Sequence, residues 1–274
     1  MDIAQNVNAG LHGRRRSGSG DDFWQYRRYN VGDDAHTIDW RRSARHERDM
    51  LFVREKELQT AQTVWVWTDL TPSMAFKSPE SETAKVERAL LLMFAVTHLL
   101  VSAGEKVGVP NMMAPTMRRG ALRLMAENIL SASSEIKAES FPETDDIRAN
   151  SSVVVISDFL DEPEKLETSL AALASKYVDL HLIMVSDPAE EDFPFSGRTR
   201  FMPVEDGSPY IAGRAETIRG QYQDVLSAHR DAVLHAANIH GATLLRHRTD
   251  HSPDVAVLAL AAALSGNPYM AEAS

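Results

Sequence analysis

The stretch Val64–Met74, VWVWTDLTPSM, carries one carboxylate and two hydroxyls at alternate positions: Asp69, Thr71 and Ser73. If the turn curls round a single point, these three oxygens can meet there. A carboxylate with neutral hydroxyls suits a hard divalent cation such as Mg²⁺, which prefers oxygen ligands and keeps part of its water shell. The same residues also suit a plain structural role, since Asp and Thr readily cap the turn that leaves a strand. Asp158 ends a second apolar run, SSVVVISDFLD (Ser151–Asp161), and would bring a second charge, directly or through a water. Asp187 ends a third run.

Strands must bring these acids together. Val64–Trp67 and Val153–Ile156 are continuous apolar runs, as expected of central strands covered on both faces. From Thr63 onward strands alternate with helices, which predicts an α/β fold with a mostly parallel sheet and helices on both faces. In such sheets ligands bind outside the carboxyl ends of the strands, where all three acids fall. Ser78-Pro79-Glu80 reads as N-cap, first-turn proline and acid opening a helix that runs through Ala84–Ser102 and stops at Gly104. EKVGVPNMMAP, Glu105 to Pro115, reads as a weak strand at the sheet edge. Helices are predicted over Ala121–Ser133, Pro163–Tyr177, Glu216–His240 and Pro253–Leu264. Further strands are predicted at Val178–Ser186 and Ala242–Asp250, with a short hairpin within Gly197–Tyr210.

Before Thr63 the pattern differs. Residues 1–22 are polar and Gly/Ser-rich, read as a disordered tail. Residues 23–60 mix aromatics and charges into an arm, with a short helix near Ile38–Arg45 and a strand near Met50–Lys56. The arm either forms a second contact surface or fastens itself to the domain through Tyr29 and Trp40. The α/β domain is placed at 61–266 and a second tail at 267–274.

Other chemistries lack their residues. A haloacid-dehalogenase-type phosphotransfer site needs a second aspartate two positions after the first, where Thr71 stands. There is no phosphate-cradling Gly-Lys-Ser/Thr loop, no G-x-S-x-G elbow and no H-E-x-x-H helix. The ten histidines are scattered without zinc spacing. With no cysteine in 274 residues, disulfides, thiolate metal sites and cysteine nucleophiles are excluded. A metal-dependent phosphoester hydrolase stays open as an alternative, with Asp187 or Glu162 as its only candidate bases, and so does a scaffold with a vestigial site.

The net charge of −10 is uneven. Arg14–Lys56 holds 11 basic and 8 acidic residues, a local +3, and the rest carries −13. The interleaved acids argue against nucleic acid as a partner of that basic flank. The longest apolar run, Ala89–Val101, is interrupted by Thr97 and His98 and falls short of the ~20 residues of a membrane span. The amino terminus has no secretory pattern. The expectation is a soluble cytoplasmic protein.

DLTPSM, AKVERALLLMFAVTHLLVSAGEKVG and VVVISDFLD together resemble a von Willebrand factor A-type domain. That family's metal-ion-dependent adhesion site has Asp-x-Ser/Thr-x-Ser after the first strand, a threonine from a middle loop and an aspartate after a later strand. The match is closer still to the bacterial domain-of-unknown-function 58 family. Its Arg-x-Tyr-x-x-Gly-Asp stretch is matched by Arg27 or Arg28, Tyr29, Gly32 and Asp33. Its Ile-Asp-Trp-x-x-x-Ala-Arg stretch is matched by Ile38, Asp39, Trp40, Ala44 and Arg45. SDPAEEDFPFSGRTRF is similar to the tail of the short members without a membrane segment. The resemblance implies a Mg²⁺ site, Mn²⁺ its alternative, at Asp69, Thr71, Ser73 and Asp158. The middle-loop threonine is where the chain departs from the pattern: Thr144 in PETDD has the Thr-Asp look but lacks the usual intervening helix, and Thr116 is no better. It also implies a partner, a MoxR-type AAA+ ATPase, and a non-enzymatic interaction module within a chaperone-like assembly.

Overall fold

The computed structural model describes residues 16–18, 22–30, 33–45, 50–58, 61–132, 139–204 and 207–265. The C-terminal tail at 267–274, the turn residues Val31 and Gly32 and most of the N-terminal tail lie outside these. The chain divides into two compact units, one on residues 12–61 and the other from Gln62 onward.

The smaller unit is a three-stranded antiparallel sheet. β1 (Arg16–Gly18) and β2 (Asp22–Arg28) pair on either side of β3 (Phe52–Leu58). β1 and the start of β2 thus lie inside the stretch read as a tail. Arg-Ser-Gly has little strand propensity, so only its pairing with β3 makes it a strand. Between β2 and β3 come a 3₁₀ turn (Ala35–Thr37) and a short helix (Trp40–Ser43), each capped by an aspartate. Asp34 accepts from His36 N and Asp39 from Arg42 N. Arg27 clamps Asp33 with two parallel bonds of 2.6 and 2.7 Å, and the guanidinium holds the Asp33 carboxyl at about 2.

The larger unit is built on a six-stranded mixed sheet. Its strands are β4 (Thr63–Thr68), β5 (Lys106–Val109), β6 (Met113–Thr116), β7 (Ser152–Ser157), β8 (Asp179–Ser186) and β11 (Thr243–Arg248). Their order is β11-β8-β7-β4-β5-β6, all neighbours parallel except the β5–β6 hairpin. The single edge strand expected at Glu105–Pro115 is therefore two strands, turning at Asn111 with φ +57°. β9 (Thr199–Phe201) and β10 (Tyr210–Ala212) form a separate hairpin. It lies over Phe193, Phe195 and Tyr222.

Period-two alternation splits the sheet's two faces. Val64, Val66, Val154, Ile156, Ile183 and Val185 pack with the helices Lys85–Ser102, Ala121–Ala132 and Pro253–Leu264. Trp65, Trp67, Val153, Val155, Leu182 and Met184 pack with the helices Pro163–Ala174 and Arg219–Ile239. Each central strand is apolar throughout because both its faces are covered.

One predicted helix start is corrected. Ser78-Pro79-Glu80 opens no helix; the helix begins at Lys85 with Ala84 as N-cap. The Ser78 amide is instead taken by Asp187 Oδ2 at 3.0 Å. The Glu87 carboxylate caps the true start by accepting from Ala84 N at 2.9 Å.

Candidate functional site: the carboxyl rim of the sheet

β4 and β7 are adjacent and parallel, so Asp69 and Asp158 leave the same end of the sheet side by side. The amide of Asp69 still bonds Ile156 O at 2.9 Å, which extends the ladder by one residue and fixes where the carboxylate starts. Asp69 is 1% exposed. Its Oδ1 accepts from Thr71 N at 2.7 Å and its Oδ2 from Ser157 Oγ at 2.7 Å. Burial pushes the Asp69 carboxyl up, the Asp158 charge adds to that, and the bonds from Thr71 and Ser157 oppose it.

The Asp69 turn runs into a 3₁₀ helix, Pro72–Ala75, with Thr71 as its cap residue. This curl brings Thr71 Oγ1 to 3.1 Å from Ser73 Oγ. Adjacent ligands of an octahedral Mg²⁺, at about 2.1 Å from the ion, stand roughly 3.0 Å apart. The hydroxyl pair therefore already has the spacing of one edge of such a shell. The two hydroxyls hydrogen-bond each other across that distance, and with Asp69 they make the one-carboxylate, two-hydroxyl set whose chemistry suits such an ion.

Asp158 is differently engaged. It is 6% exposed; its Oδ1 accepts from Leu160 N at 3.2 Å and its Oδ2 from Lys85 Nζ at 2.9 Å. Lys85, 0% exposed, reaches Glu190 Oε1 at 2.5 Å with the same ammonium. Burial alone would lower the lysine, but the Asp158 and Glu190 charges outweigh it and hold the group cationic. Glu190 in turn accepts from Asp187 N at 2.9 Å through Oε2, and burial pushes its carboxyl up against the pull of Lys85. Asp187, the third acid, is a helix cap. Its Oδ1 accepts from Ala189 N at 2.9 Å and its Oδ2 from Ser78 N.

The backbone just after Asp158 is strained. Phe159 is fully buried at φ +50°, a left-handed conformation that costs a bulky residue about 1–3 kcal/mol. Its ring lies 5.8 Å from that of Phe141, its amide donates to Ser157 Oγ at 3.0 Å, and its carbonyl bonds His229 Nε2 at 2.6 Å. These contacts hold the kink that turns Asp158 toward Lys85.

Thr144 stands apart. Glu143 and Asp146 beside it bond Asn111, so its segment is pinned at the carboxyl end of β5. Among the described residues its carbonyl accepts from Ile147 N, and no hydrogen bond joins it to Asp69, Thr71, Ser73 or Asp158. Among the described residues no three His, Cys, Asp or Glu side chains gather as a metal cluster, so any ion here would be held largely by hydroxyls and water.

Three rim residues escaped the sequence reading. Glu190 was the most findable, because Asp187-Pro188-Ala189-Glu190 has the spacing of a capping box. Ser157 differs in nothing from an ordinary strand-end serine. Lys85 sits at the first position of its helix, where a cation opposes the helix dipole, and that misplacement was its only signal.

A mixed, mostly parallel α/β sheet with an acidic, hydroxyl-bearing carboxyl rim defines the class of this protein. Its family can be stated as well: the chain belongs to the proteins of unknown function DUF58, whose profile matches residues 25–232. Uncharacterized proteins of Mycobacterium tuberculosis and Mycobacterium bovis are 26% identical to it over 272 residues, covering 91% of this chain and 82% of theirs. Two solved structures are distantly similar. One is the conserved hypothetical protein BatB from Bacteroides thetaiotaomicron, with TM-score 0.41, 14% identity, and coverage of 78% of this chain and all of that one. The other is an aerotolerance-related membrane protein from Bacteroides fragilis bearing multiple mutations to serine, with TM-score 0.43, 15% identity, and coverage of 75% of this chain and all of that one. Among the described residues no helix is long and apolar enough to cross a membrane.

Proposed function

We propose that the carboxyl rim is a protein-docking site of von Willebrand factor A type, in which Asp69, Thr71 and Ser73 hold a Mg²⁺ or Mn²⁺ ion. When bound, the ion offers an open coordination position to a carboxylate of the partner. The observation that carries this reading is the 3.1 Å spacing of Thr71 Oγ1 and Ser73 Oγ beside a buried carboxylate. The neighbouring positions of the Asp69 and Asp158 loops support it. Thr144 is the further ligand that the family resemblance implies, and it would have to approach from the segment pinned at Asn111. The partner we propose is the MoxR-type AAA+ ATPase that the family resemblance implies, in a chaperone-like assembly.

A phosphoester hydrolase built on the same ion would need a base. Asp187 is spent on two backbone amides and Glu162 is exposed at the head of its helix, so docking is the better reading. The test is calorimetric titration with Mg²⁺ together with capture of the ATPase, on the wild-type chain and Asp69→Ala. The substitution is expected to weaken both by tenfold or more. If Asp69→Ala binds ion and ATPase as the wild type does, the reading fails.

A further inference from the structure

The rim already contains a cation. Lys85 is fully buried at the first turn of its helix, where the dipole disfavours positive charge, and it is held there by two carboxylates. Its Nζ lies 2.9 Å from Asp158 Oδ2 and 2.5 Å from Glu190 Oε1, with the Phe76 ring 5.9 Å away. The remaining oxygens of both acids are also engaged: Asp158 Oδ1 by Leu160 N, and Glu190 Oε2 by Asp187 N. The carboxylate that the metal-site pattern would enlist as its second charge is therefore already bound to a positive group.

We propose that Lys85 is a built-in cation that withdraws Asp158 from the divalent site and so sets the rim's affinity for metal. This rests on the cation reading above and gives it a consequence. An ion at Thr71 and Ser73 faces one carboxylate, Asp69, whose oxygens already accept from Thr71 N and Ser157 Oγ. Sites with fewer charged ligands bind divalent ions more weakly. A nearby ammonium lowers that affinity further by repulsion. The ion is thus held loosely by the free protein and firmly only when a partner carboxylate supplies the charge that Asp158 withholds. Metal and partner bind together, each raising the affinity of the other. The partner chemistry this selects is an acidic side chain presented at the rim.

The experiment is a Mn²⁺ titration of the full chain, with free Mn²⁺ followed by electron paramagnetic resonance. Lys85→Met is expected to bind Mn²⁺ at least tenfold more tightly than the wild type. The gain is expected to vanish in Lys85→Met/Asp158→Asn. If Lys85→Met binds no more tightly than the wild type, or the gain survives loss of Asp158, the proposal is overturned. Removing the lysine leaves two buried carboxylates unpaired, so circular dichroism checks the fold. If Lys85→Met does not fold, Lys85→Met/Glu190→Gln frees Asp158 without leaving the Glu190 charge unpaired beside it; the same tenfold gain is expected, and its absence overturns the proposal. A wild type that binds no Mn²⁺ beside a Lys85→Met that does would uphold the Lys85 mechanism and refute a resident ion in the wild type, so the two readings fail separately.

Discussion

Ser157 and Asp69 meet across the ends of neighbouring strands, the serine hydroxyl donating to Oδ2 at 2.7 Å in a position closed to water. Ser157→Ala removes that donor and leaves the buried carboxylate to Thr71. A loss of about 1–3 kcal/mol is expected in urea unfolding. The Asp69 carboxyl should also titrate still further above the ordinary carboxylate range. Unchanged stability together with an unchanged Asp69 titration would show that Ser157 does not position the acid.

Gly108 lies under the indole of Trp65. A β-carbon there would stand 2.8 and 2.9 Å from two ring carbons and 3.1 Å from the Met113 carbonyl. Trp65 is 3% exposed and packs with Val153, Val155 and the covering helices, so displacing the ring costs those contacts. Gly108→Ala is expected to cost about 1–3 kcal/mol, the range of an overpacked core. A melting temperature equal to or above that of the wild type would contradict the packing described.

Two buried histidines predict acid sensitivity. Burial lowers His181 to about 4 against the pull of Asp179; burial, with Arg88 and His251, lowers His247 to about 4 against Asp250. Both values lie below the ordinary 6.5, so between these limits the unfolded chain takes up protons that the folded chain refuses. Stability should therefore fall as pH drops from about 6.5 toward 4. Urea midpoints at pH 7 and pH 5 measure it, and replacing both histidines by glutamine should flatten that part of the loss. An equal loss in the double variant would assign the effect to other groups.

In the smaller unit, Asp33 is expected to titrate near 2 rather than 3.8, chiefly because of the bond from Arg27, with Asn30 N assisting at 2.8 Å. The pair favours the folded state above pH 3.8, and that contribution is lost as pH falls through about 2. Carboxyl NMR should show the midpoint returning toward 3.8 in Arg27→Gln. A midpoint still near 2 would mean that Arg27 is not its cause.

The legibility of this chain follows the range of its interactions. The strands at Val64–Trp67 and Val153–Ile156 could be read because each is buried on both faces over its whole length. The Pro253–Leu264 helix was placed to the residue because Ser252 caps it and Pro253 opens it, both local devices. Ser78-Pro79-Glu80 carried the same local marks and misled, because a residue 109 positions away claims the Ser78 amide. That Asp69, Thr71 and Ser73 share one turn could be read from their spacing. The commitment of Asp158 to Lys85 could not, since spacing within a strand says nothing of a helix 73 residues earlier.

The Lys85 ammonium also ties the rim to the order in which the chain can assemble. Its two bonds span 73 and 105 residues, so they close only after β7, β8 and the Lys85–Ser102 helix have docked on one sheet. Contacts of such long sequence separation come late, after the local ones have lowered their closure entropy. A chain still lacking β8 would carry Lys85 without Glu190 and present no finished rim. The finished rim is thus a property of the completed sheet and of no shorter piece of the chain.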